Sequence, residues 1–130
     1  MAKMVKVGMA DLNICHSPDA ITTLGLGSCV GVALYDKNTK TAGLVHVMLP
    51  DSTKVRQNQN RAKFADTGID YLIELLEKEG AKKSSLTAKI AGGAQMFAFS
   101  SSNDMLRVGE RNVEAVKDKL KKLGIRILAA

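Results

Sequence analysis

Cys29 immediately precedes one apolar, valine-rich run, Val30 to Tyr35, and His46 lies inside a second, Ala42 to Leu49. Between the runs stands the polar stretch Asp36-Lys37-Asn38-Thr39-Lys40-Thr41, whose side chains favour a turn, so the pattern predicts a β-hairpin. With Asn38-Thr39 at the centre of the turn, Tyr35 faces Ala42 and His46 faces Gly31. Cys29 and His46 then project from one face as diagonal neighbours, with α-carbons ~7–8 Å apart. A loop one residue longer or shorter reverses the parity and separates them.

The chemistry open to such a pair is nucleophilic. A free cysteine with a pKa of ~8.5 is only a few per cent thiolate at neutral pH, and it needs a base or a cation beside it. His46 suits either role. Gly25-Leu26-Gly27-Ser28 places backbone N–H groups of Gly27 and Ser28 next to the sulfur, as an oxyanion pocket requires. The residues facing the pair, Gly31 and Ala33, are small and are expected to leave room for a substrate. The alternative is packing, because cysteine is among the most often buried residues and a lone histidine in an apolar strand is commonly a satisfied core group. On spacing alone both readings stand. A nucleotide-binding loop is excluded at Gly25 to Gly31, since the third glycine is misplaced and a strand follows instead of a helix.

The elements that must position these residues follow from periodicity. Val5 to Ala10 reads as a first strand, Asn13 to Asp19 as a polar loop carrying exposed Cys15 and His16, and Ile21 to Leu24 as a short strand. Both hairpin strands are apolar on both faces and belong inside the fold. Pro50 to Arg61 is a polar surface loop. Apolar positions from Phe64 to Leu76 recur at three- and four-residue steps, which predicts a helix over Arg61 to Glu79 stopped by Gly80. Leu86 to Ala91 is a strand running into Gly92-Gly93, a serine-rich loop follows at Ser100 to Asn103, and a second helix runs from about Glu110 to Leu123 before Gly124. Ile125 to Leu128 is a last strand.

The length of 130 residues suits one domain, with 45% hydrophobic and 25% charged residues in the ordinary globular range. No apolar run approaches the roughly 18 residues of a membrane span and no secretion signal precedes the first strand, so the expected location is the cytoplasm. The net charge of +6 admits an acidic partner. Nucleic acid is disfavoured, because two Tyr and three Phe are too few to interleave with the basic residues as stacking surfaces. Lys117, Lys119, Lys121 and Lys122 read instead as the solvated face of the second helix. Cys15, His16, Cys29 and His46 lack the paired spacing of a zinc site, and neither a metal nor another cofactor is expected.

Four segments carry a resemblance: Thr-Leu-Gly-Leu-Gly-Ser-Cys-Val at 23–30, Gly-Leu-Val-His-Val-Met-Leu-Pro at 43–50, Ala-Lys-Ile-Ala-Gly-Gly-Ala-Gln-Met-Phe at 88–97 and Val-Gly-Glu-Arg-Asn-Val at 108–113. In this order, over nearly the whole chain, they resemble the chemoreceptor glutamine deamidase family, CheD. The resemblance implies an enzyme that hydrolyses selected glutamine side chains of chemoreceptor (methyl-accepting chemotaxis protein) cytoplasmic helices to glutamate, releasing ammonia. It assigns Cys29 as nucleophile, His46 as general base and Thr23 as third member of the site. It also implies an α+β layered sandwich of mixed, largely antiparallel β-sheet with two main helices outside, similar to cytotoxic necrotizing toxins, and a CheC-type phosphatase as regulator. Gly92 and Gly93 either shape the rim of a substrate mouth or partner surface or let the backbone turn, and Asn112 is either a local cap or a support to the site. The family pattern continues past the last strand with an Asp-Thr-Gly-Gly-type segment, so the expectation is one deamidase domain over 1–130 without that segment. The competing expectation is a non-catalytic regulatory module that binds a phosphatase or receptor helix through a face around Phe97 and Phe99. A third is a different cysteine hydrolase acting on small amides.

Overall fold

The computed structural model describes residues 3–50, 60–93 and 108–130. In chain order these form β1 (Met4–Val7), β2 (Leu12–His16), β3 (Ala20–Thr23), β4 (Val30–Asp36), β5 (Thr41–Val47), α1 (Ala65–Lys78), β6 (Leu86–Gly92), α2 (Val108–Leu123) and β7 (Arg126–Ala129). Five strands make a mixed sheet in the order β2-β5-β4-β6-β7, antiparallel except for the β6–β7 pair. β1 and β3 make a separate parallel pair. The architecture is α+β. α1 packs over β5 and β2, α2 packs over β4, β6 and β7, and the small sheet lies against β2 and β5.

The hairpin is the centre of the large sheet and has the register its turn residues dictate. Val30 pairs with Val47, Gly31 with His46 and Tyr35 with Ala42. Alternation divides its side chains between two layers. Val30, Val32, Leu34, Val45 and Val47 enter the main core with Ile69, Leu72 and Leu76 of α1 and Val116 and Leu120 of α2. Each such buried aliphatic side chain contributes about 1.5–3 kcal/mol of transfer free energy. Gly43 is where α1 comes closest, since a Cβ there would stand 2.6 Å from a methyl carbon of Leu72. The opposite face carries His46 toward the β1–β3 layer.

Several local expectations need correction. Asn13 to Asp19 is not all loop: Leu12–His16 is an edge strand pairing with β5 from Val45 to Thr41, and Cys15 is buried. Leu12 and Ile14 pack on the core, a period-two signal masked by Asn13, Cys15 and His16 around them. The first strand stops at Val7, ahead of Gly8 and of Ala10 in a left-handed conformation. The first α-helix starts at Ala65, because Arg61–Lys63 is a 3-10 turn and Phe64 is extended. That extended residue bridges Leu49, and the Lys63 carbonyl accepts from Met48 N–H at 2.7 Å and Leu49 N–H at 3.0 Å. Lys119 leaves the solvated lysine face to pair with Asp70 of α1 at 2.9 Å. The loop from Pro50 to Arg61 is described only at its ends, and Ser100 to Asn103, Phe97 and Phe99 lie outside the described residues.

Candidate active site

His46 is fully buried, on a strand pinned between two others. Its Nδ1 lies 2.8 Å from Thr23 Oγ1, which brings β3 of the small sheet to β5 of the large one. The Thr23 hydroxyl donates its single hydrogen to the Val7 carbonyl at 2.7 Å. Toward His46 it can therefore only accept, so Nδ1 carries the ring proton and Nε2 is the unprotonated nitrogen. Nε2 is buried and has no hydrogen-bond partner among the described residues. Leaving such an acceptor unpaired costs about 1–3 kcal/mol. Burial holds the His46 pKa below its ordinary value, so the imidazole is neutral and basic at Nε2. Thr23 thus sets the tautomer of the histidine, with the Val7 carbonyl as a further partner that spacing does not reveal.

Cys29 is buried at the same end of the hairpin, two residues before the Gly31 that faces His46. It sits in a turn just outside β4, its N–H donating to the Leu26 carbonyl at 2.6 Å and its carbonyl accepting from Gly93 N–H at 2.8 Å. Among the described residues no hydrogen bond joins Cys29 to His46. Burial pushes the Cys29 thiol up from its ordinary value, so thiol and imidazole rest as a neutral pair. The Cys29 N–H is occupied by Leu26, which leaves Gly27 and Ser28 as the nearby candidate oxyanion donors. Gly27 has φ +50°, a left-handed turn that a Cβ would strain. The space over Gly31 is bordered by Leu26 and Thr23, whose side chains would stand at ordinary contact distance, 3.4 and 3.5 Å, from a Cβ there.

Gly92 and Gly93 have φ of +99° and +73°. A Cβ on Gly92 would stand 2.3 Å from the Cys29 carbonyl oxygen, and one on Gly93 would stand 2.1 Å from a Val113 methyl carbon of α2. Both let the backbone pack closely, Gly92 against the cysteine turn and Gly93 against the second helix. Asn112 is fully buried and does not cap its own helix: its Nδ2 donates to the carbonyls of Ser28 and Met48, each at 2.9 Å. Its Oδ1 is buried without a partner among the described residues.

Cys15 and His16 lie at the other end of the hairpin, opposite Ala42 and Thr41. Cys15 Sγ approaches the Asp19 carbonyl at 3.7 Å, and His16 Nε2 is 2.9 Å from Glu79, the residue that follows α1. The four residues of the conceivable zinc set are thereby split between two ends of the sheet. No described helix is long and apolar enough to cross a membrane.

A family model described as CheD chemotactic sensory transduction matches residues 48–130. A probable chemoreceptor glutamine deamidase CheD of Lachnoclostridium phytofermentans is 70% identical over 129 residues, 99% of this chain and 80% of its own length. The chemoreceptor glutamine deamidase CheD of Halalkalibacterium halodurans is 61% identical over 130 residues, 99% of this chain and 80% of its own. That of Bacillus subtilis is 52% identical over 129 residues, covering 98% and 78%. The family-model match begins just after His46, while the pairwise similarities run across Thr23, Cys29 and His46 as well, so this chain belongs to the CheD family.

Proposed function

We propose that this protein is a chemoreceptor glutamine deamidase, a cysteine amidohydrolase that converts receptor glutamine side chains to glutamate. The observation that carries the reading is the Val7–Thr23–His46 chain, which presents a buried, unprotonated Nε2, unpartnered among the described residues, at the end of the hairpin where Cys29 lies. Its family membership supplies the substrate class. His46 Nε2 takes the Cys29 proton, and the sulfur attacks the carboxamide carbon. The developing oxyanion is held by N–H groups of Gly27 and Ser28. As the carbon–nitrogen bond breaks, protonated His46 gives its proton to the departing ammonia. Water, deprotonated by the same Nε2, then cleaves the thioester and frees glutamate and Cys29. Because burial disfavours both the thiolate and the imidazolium, this proton transfer accompanies substrate binding instead of preceding it.

The substrate is the cytoplasmic helix bundle of a chemoreceptor, with the +6 charge favouring an acidic surface and association that weakens with salt. The layered fold with a cysteine–histidine site is similar to cytotoxic necrotizing toxins, the protein acts in the cytoplasm, and a CheC-type phosphatase restrains it. Mass spectrometry of receptor cytoplasmic fragments tests the reaction: the wild type produces the glutamine-to-glutamate shift and Cys29→Ala does not. A shift retained in Cys29→Ala ends the proposal.

The absence of a Cys29–His46 hydrogen bond among the described residues favours one alternative, a regulatory module that binds without catalysis. Alkylation separates the two. Cys15 and Cys29 are both buried with thiol pKa values raised by burial, that of Cys15 also by the Asp19 carboxylate, so help from His46 is read as Cys29 alkylation that outpaces Cys15 and slows in His46→Ala. Equal rates favour the module.

A further inference from the structure

The regular pairing of β4 with β5 ends at Val30 and Val47. One step beyond it, Cys29 and Met48 would face each other next in an unbroken ladder, but the strands part: Met48 N–H turns to the Lys63 carbonyl, and the Cys29 N–H to that of Leu26. Asn112 enters this gap from α2. Its amide group gives one hydrogen to Ser28, the residue before Cys29, and the other to Met48, two residues after His46. Two carbonyl acceptors can be met only by the NH2 side of the amide, so its orientation is fixed. A second feature brings the helix within reach. Gly93, with no Cβ, lets the β6 end pack directly on α2, where a Cβ would stand 3.0 Å from the Gly109 carbonyl oxygen and far inside contact distance of Val113.

We infer that Asn112 is a positioning residue for the reaction of Cys29 with His46, its single amide holding the cysteine turn and the end of the histidine strand at the separation the proton transfer needs. This rests on the deamidase reading above. An amide that touches neither reacting atom acts through the two backbones it joins, and misplacing reacting groups by about 1 Å costs on the order of 100-fold in rate.

Asn112→Asp keeps the shape and loses the donors, Asn112→Ala loses both, and Asn112→Ser keeps one donor. Leu120→Ala, in the buried face of the same helix, supplies a destabilised control away from the site. kcat and KM on a receptor cytoplasmic fragment, corrected for folded fraction, are measured beside the pH dependence of Cys29 alkylation read by peptide mass. The expected result is kcat lower by about 10- to 100-fold in the Asp and Ala variants with KM unchanged, and an intermediate loss in Ser. The Cys29 alkylation profile moves toward that of His46→Ala, while Leu120→Ala keeps the wild-type profile. Wild-type kcat and profile in Asn112→Asp, or losses that follow folded fraction as in Leu120→Ala, overturn the assignment. Should Asp and Ala fail to fold, Ser decides: a wild-type alkylation profile there overturns the assignment and a shifted one supports it. An active His46→Ala ends the catalytic reading and this inference with it, whereas an inactive His46→Ala beside a fully active Asn112→Asp removes only the role of Asn112.

Discussion

The two ends of the β4–β5 hairpin bury polar groups in opposite ways. At the turn, the Asp36 carboxylate is 1% exposed and accepts N–H bonds from Asn38 at 2.9 Å, Thr39 at 3.4 Å and Lys82 at 2.9 Å. These bonds, the one from Lys82 first, hold its pKa below the usual carboxylate range. At the open end, His46 and Asn112 are equally buried, yet His46 Nε2 and Asn112 Oδ1 have no partners among the described residues. The cysteine turn beside them needs glycines in left-handed conformations. One end closes its hydrogen bonds and ties the turn to the β6 side of the sheet. The other leaves capacity open where chemistry is proposed, and unpaired buried groups cluster where stability is given up for function.

The contrast breaks most sharply at the open end. Cys29→Ala and His46→Ala should each reduce deamidation by at least about 10³-fold, because the proposed nucleophile or its proposed base is gone, while thermal stability stays at or above the wild-type value. Ammonia release and thermal unfolding check this, and a large loss of stability in either variant would place these residues with the structural end of the hairpin. At the turn, Asp36→Ala should cost about 2–3 kcal/mol of stability and leave kcat per folded molecule unchanged, as denaturant titration and activity will show. Since the folded pKa of Asp36 lies below the unfolded one, its contribution is complete above about pH 4 and disappears as pH falls through the folded value. Wild type and variant should therefore converge in acid.

Smaller effects sharpen the comparison. Thr23→Val removes the hydroxyl that sets the His46 tautomer and should lower kcat by about 10-fold, less than loss of the base itself. Wild-type kcat would show that the hydroxyl only ties β3 to the Val7 carbonyl. The acid limb of the kcat/KM profile should lie below the ordinary histidine value of 6.5, because a depressed pKa keeps His46 neutral to lower pH. A limb at or above that value would mean that His46 gains a stabilising anion, the Cys29 thiolate, before substrate arrives.

Much of this was legible in the chain because it is local. The turn residues between two valine-rich runs determined the hairpin and its register, and with it the facing of His46 and Gly31. The three- and four-residue apolar spacing determined both helices, and Gly80 and Gly124, both in left-handed conformations, end them. β2 escaped because an edge strand with one packed face shows only Leu12 and Ile14 as apolar signal. The start of α1 escaped because Phe64 is drawn into an extended bridge by Leu49, a partner that helical periodicity does not see.

The sequence by itself determined the residue types able to do acyl transfer, the strand that bears His46 and the motifs that place the chain in its family. Only the tertiary structure decided what those residues face. The proton on Nδ1 of His46 depends on Thr23, on the other sheet, pointing its own hydrogen at its neighbour Val7, and Asn112 reaches across 84 positions to Ser28 and 64 to Met48. Such contacts leave no periodic trace, because hydrogen bonds between distant segments exist only once the layers have packed.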